Sequence, residues 1–137
     1  MELLHLLVAD YANLTRDGKL NVMGIFNIIY APAFPAKHSE MYLISKLYAS
    51  PAEYGQTRKL TIKLLNEDGT QELVNFSHDF AIPTGTGGKR VETNHIIRLT
   101  DIIFPDTGIY QFSVLVDNDL KGTVAVELVK QEIPGDR

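Results

Sequence analysis

The 137-residue chain has no cysteine and no tryptophan. Without cysteine there is no disulfide, no thiolate nucleophile and no Cys-ligated zinc, which fits a reducing compartment. Without tryptophan, stacking against a sugar ring loses its best side chain. Long apolar runs are missing too. Leu3 to Ala9 is interrupted by His5, preceded by Glu2 rather than a basic flank, and ended by Asp10. That is far short of the ~20 residues a membrane helix needs, and it does not read as a secretory signal. The chain is therefore expected to be cytoplasmic, with no membrane partner. Charge of one sign is not concentrated anywhere: 13 basic and 17 acidic residues are interspersed, for a net charge of −4. No basic footprint for nucleic acid is visible, so nucleic acid is not expected as a partner.

Helical periodicity is also absent, and what fills the chain is alternation. Leu4, Leu6 and Val8 interleave with Leu3, His5 and Leu7. From Leu20 to Tyr30, Val22, Phe26 and Ile28 fall on one parity and Met23, Ile25 and Ile29 on the other, the mark of a strand covered on both faces. Ala31 to Ser39 holds Pro32 and Pro35 and predicts an irregular connection. Met41, Leu43 and Leu47 form an inward set, as do Leu60, Ile62 and Leu64. Asn66–Gly69 and Asp17–Gly18 are hairpin turns. Val74, Phe76, His78, Phe80 and Ile82 share a parity, and Val124, Val126 and Leu128 complete the core. About eight strands at short spacing predict an all-β fold, a two-sheet antiparallel sandwich. One domain spanning residues 1–137 is expected, large enough to bury roughly 65–70% of its unfolded surface, with residues 131–137 as a frayed tail.

The densest local signal is Phe104-Pro105-Asp106-Thr107-Gly108-Ile109-Tyr110. Pro105 holds Phe104 extended and ends the incoming strand, while Asp106 and Gly108 supply turn chemistry. Tyr110, Phe112, Val114 and Val116 then alternate inward. On Leu99, Ile102, Asp106, Gly108 and Tyr110, the stretch from Ile97 to Val129 resembles the back half of an immunoglobulin-like domain with its Asp-x-Gly-x-Tyr tyrosine corner. The resemblance implies a Greek-key sandwich in which the Tyr110 hydroxyl bonds back to upstream backbone. Phe112 stands where antibody-type domains carry a core cysteine, so the likeness is to the fold alone. Through Gly18 to Phe26, the Phe34-Pro35 step and Phe104 to Tyr110, the whole chain is similar to a bacterial family of small β-sandwich proteins with no established activity.

Candidate chemistry is sparse. Ser77-His78-Asp79 has the residue types of a hydrolytic triad, but strand neighbours point to opposite faces, so His78 cannot serve either one. Its parity predicts a hydrogen-bonded core histidine. His5, His38 and His95 are scattered, and no metal or cofactor is expected. Asp117, Asn118 and Asp119 crowd one turn without the downstream carboxylate of a calcium loop. Gly85, Gly87, Gly88, Lys89 and Arg90 resemble a phosphate loop but lack its first glycine, its Ser or Thr and its following helix.

The remaining feature is a surface. Met23, Ile25 and Ile29 share the non-core parity of one strand, as do Tyr42, Ile44 and Tyr48 of another. If these lie on one sheet, its outer face is too apolar for solvent and calls for a covering loop or another chain. The expected function is a non-catalytic interaction or assembly module that docks a protein, self or other, through that face. The alternative is a sandwich binding a small anion or sugar with the 83–90 loop.

Overall fold

A computed structural model describes residues 1–131, and residues 132–137, expected as a loose tail, lie outside the described residues. Among the described residues nine strands form two sheets: β1 (Glu2–Leu14), β2 (Leu20–Ile25), β3 (Ile28–Ala31), β4 (Ala36–Ala49), β5 (Thr57–Asn66), β6 (Glu72–Ala81), β7 (Val91–Phe104), β8 (Gly108–Val116) and β9 (Asp119–Lys130). One sheet runs β2-β1-β4-β7 and the other β3-β9-β8-β5-β6. The alternating residues meet between them. Val8, Met41, Leu43 and Leu47 from the first sheet pack on Leu60, Ile62, Leu64, Phe112, Val114 and Val126 from the second. Each is at most 1% exposed, so these side chains form the packed interior.

The count exceeds the expected eight because Leu20–Tyr30 is two strands. Gly24 adopts φ +72°, where an added Cβ would stand 2.5 Å from an Asp10 carboxylate oxygen, so only glycine fits. Past Ile25 the chain leaves β1, crosses to the other sheet and pairs parallel to β9, with Ile29 opposite Leu128. The sandwich is thus not purely antiparallel. Apolar residues on both parities mark a strand that changes sheets, not one buried on two sides. The proline-bearing connection also shrinks to residues 32–35, with a cis Phe34–Pro35 peptide. β4 begins at Ala36.

At the corner, Phe104 is fully buried and its ring meets Tyr110 edge-on at 5.0 Å. The Tyr110 hydroxyl donates to the Asp106 carbonyl at 2.8 Å, and the Asp106 carboxylate accepts from the Thr107 amide at 2.8 Å. Gly108 sits at φ +132° as β8 starts. An apolar ring thus holds one side of the turn and satisfied polar groups the other.

Candidate functional site

The outer face of the first sheet is where the sequence placed an interface, and the chain covers much of it. β1 pairs with β4 only as far as Ala9, opposite Tyr42, and then continues paired with β2 alone. Beyond that point Ala12, Leu20 and Val22 pack with Ala9, Tyr42 and Ile44 in one cluster. Ala9 and Ala12 differ in parity, so the β1–β2 hairpin turns its other face onto the sheet near Asp10 and Gly24. Ile44 is 0% and Tyr42 8% exposed as a result. Neither is available to a partner. Ile29 belongs to the core between the sheets, because the switch of sheets inverts its face. Tyr48 is half-buried, hydrogen-bonded to Glu2 and lying under the Arg90 guanidinium at 4.2 Å. Of the six candidates only Met23 and Ile25 are well exposed.

The glycine loop is a turn. Gly87 and Gly88 take φ +65° and +66°, and the Lys89 amide reaches back to the Thr86 carbonyl at 3.4 Å. Two consecutive positive φ values are what a type I′ turn needs, which accounts for the glycines. Gly85 lies so close to Tyr54 and Val91 that a Cβ would clash, and the Tyr54 hydroxyl donates to the Lys89 carbonyl. In this loop the Arg90 guanidinium lies over the Tyr48 ring. The acidic turn has a similar explanation. Asp117 and Asn118 adopt φ +51° and +68°. The Asp117 carboxylate accepts from the Lys59 amide and Arg58, and the Lys59 bond, with Arg58 adding to it, holds its pKa below the usual carboxylate range. Among the described residues no group of three potential metal ligands occurs.

What the sequence did not single out is the flank where β6 and β7 come side by side, each at the free edge of its own sheet. Register places Val74, Phe76 and His78 opposite the buried Leu64, Ile62 and Leu60. These β6 side chains therefore point to the core face, at the rim of the sandwich where little lies across from them. Phe76 stays 42% exposed while its partner Ile62 is fully buried. Between them and Ile97, Leu99 and Ile102 of β7 lies an open cleft of about 520 Å³.

One end of the cleft is closed by aromatic rings. His78 stands 5.5 Å from Phe76 and 5.7 Å from His95, and His95 meets Phe80 edge-on at 4.6 Å. Burial, and secondarily the charge His78 would carry, push His95 down to about 4. Its Nε2 lies 3.0 Å from Thr93 Oγ1. His78 corrects the expectation of a hydrogen-bonded core histidine: its Nδ1 is buried and has no hydrogen-bond partner. Ser77 points the other way, its hydroxyl 3.0 Å from Thr61 Oγ1, so the local trio forms no triad. The apolar parity from Val74 to Ile82 was the available signal. It could not reveal that nothing would cover it.

The sequence matches, over residues 4–129, a family of unknown function (DUF6941). The chain belongs to that family. No curated protein matches it. Among solved structures it resembles the Pseudomonas fluorescens alkylpurine DNA glycosylase AlkC bound to DNA containing an abasic site analog. That match has 14% identity and a TM-score of 0.53, over 93% of this chain and 30% of the other. The likeness is one of fold, and the chain spans less than a third of that protein. It nevertheless corrects the expectation that nucleic acid is excluded as a partner. A chain of this fold occurs in a DNA-bound protein, and a net charge of −4 is too coarse a measure to rule such contact out. No helix among the described residues is long and apolar enough to cross a membrane.

Proposed function

We propose that this member of the family is a non-catalytic protein-binding module of immunoglobulin-like architecture that receives an extended apolar segment of a partner in the β6–β7 cleft. The observation that carries the reading is the side-by-side placement of two free strand edges around an apolar opening. An incoming strand would gain backbone bonds from an edge, pockets for alternate side chains and a partner for the orphaned His78 Nδ1. The immunoglobulin-like part rests on the bond from Tyr110 to the Asp106 carbonyl and on the β4–β7 and β5–β8–β9 pairings. A cytoplasmic setting is the corresponding proposal for location, supported by the lack of cysteine. The loop at 83–90 has less behind it as an anion or sugar site, since its glycines are taken up by the turn and Arg90 by Tyr48.

Selection from a displayed library of short random peptides tests the reading. Enriched peptides should alternate apolar residues, and Phe76→Glu should weaken their binding by on the order of tenfold or more. Failure to enrich such peptides, or binding indifferent to Phe76→Glu, would exclude the cleft as the site.

A further inference from the structure

A cavity of about 320 Å³ opens beside the crossing from β2 to β3. Its wall is made by Asp10 of β1, Phe26 of the crossing, Ile28, Ile29 and Tyr30 of β3, and His38 of β4. Residues of both sheets therefore line it, and it shares none of them with the β6–β7 cleft. Four of the six side chains are aliphatic or aromatic, and the other two are polar groups the fold leaves unused. His38 Nε2 is buried with no hydrogen-bond partner, and the Phe26 ring stands 5.9 Å from the imidazole. Asp10 is exposed, and no ion pair among the described residues involves it. Nor does its strand explain it. Asp10 continues the parity of Leu6 and Val8, which pack in the core. The pairs Ala9–Ile25 and Tyr11–Met23 bracket it against Gly24, whose missing side chain leaves the space the carboxylate takes.

We propose that this cavity binds a small primary amine with an apolar or aromatic body, its ammonium donating to Asp10 and its body lying against Phe26, Ile28 and Tyr30. Charge selects the class. Asp10 is the one acid on the wall and neither lysine nor arginine joins it, so an organic anion meets repulsion there and a cation meets a partner. The faces of Phe26 and Tyr30 attract a cation in their own right. A bare metal ion fits less well, because Asp10 and His38 are two ligands and no group of three occurs among the described residues. His38 supplies a second polar contact, one that the protein itself leaves unmade. The volume lies at the lower end of small-molecule sites, which limits the guest to a single ring or a short chain.

Three probes of one shape and different charge test the assignment: phenethylamine, 2-phenylethanol and phenylacetate, each titrated into the full chain and followed by amide NMR shifts. Phenethylamine should bind about tenfold or more tightly than the alcohol or the acid, with shifts centred on Asp10, Phe26, Ile28, Tyr30 and His38. Asp10→Asn should bring phenethylamine down to the affinity of the alcohol while leaving the alcohol's own binding unchanged. The comparison of probes on the unmodified chain holds whatever the variant does. Absence of phenethylamine binding up to ~10 mM, equal affinity for all three probes, shifts centred elsewhere, or a preference for the amine that survives Asp10→Asn would each overturn the site.

Discussion

On one flank of the sandwich the chain itself crosses between the sheets; on the other it never does. Where β2 gives way to β3, Ile29 drops into the shared core and Phe26 packs beside it. On the opposite flank β6 and β7 belong to different sheets, their connection runs around the end of the fold, and the apolar rims of both are left facing an open cleft. Composition does not distinguish the flanks, since each is lined by aliphatic and aromatic side chains and a histidine. The difference is covalent. A crossing strand buries Ile29 in the seam between the sheets, whereas the flank without one leaves Phe76 half-exposed at the mouth of the cleft.

The comparison is sharpest in truncation. Ile29→Ala on the closed flank should cost about 2–4 kcal/mol in urea unfolding, because the side chain is 8% exposed and its loss leaves a cavity at the seam. A cost under 1 kcal/mol there would mean the crossing does not seal the core. The next effect is pH dependence on the open flank. His95 stays neutral in the fold until about pH 4, whereas in the unfolded chain it takes up a proton near its ordinary 6.5. Stability contributed by this group is thus complete above pH 6.5, declines as pH falls toward 4, and levels off below. The loss should reach about 2 kcal/mol, less than the full shift implies because the cleft admits some water. His95→Asn should flatten that part of the profile, and an unchanged slope would point to other groups.

Smaller effects follow at the corner and the rim. Tyr110→Phe removes the hydroxyl bond to the Asp106 carbonyl and should cost about 1 kcal/mol, measured by denaturation, with Phe104 packing retained. Phe76→Ala, a larger truncation than Ile29→Ala, should cost about 1 kcal/mol or less because the ring is already 42% exposed. If Phe76 proved as costly as Ile29, the two flanks would be alike.

Much of the scaffold was readable in the residues. Alternation at Met41–Leu47, Leu60–Leu64 and Tyr110–Val116 placed these side chains in the core, and Pro105, Asp106 and Gly108 marked the turn before Tyr110. The Leu20–Tyr30 stretch misled because parity assumes one strand in one sheet, and the positive φ at Gly24 breaks that assumption. From that break follow both errors at the expected interface. Ile29 changed faces, and the hairpin was free to fold over Tyr42 and Ile44. The cleft was invisible for a related reason. Val74, Phe76 and His78 have the pattern of core residues, and only the order of strands shows that β7 does not extend over them. Periodicity specifies which way a side chain points, not what lies across from it.

Backbone amide hydrogen exchange along β6 and β7, with and without a selected peptide of alternating apolar residues, tests the central claim most directly. Added protection confined to the edge amides of those strands, and abolished by Phe76→Glu, is the predicted result. Unchanged exchange along both edges, or protection appearing on another surface, would contradict it.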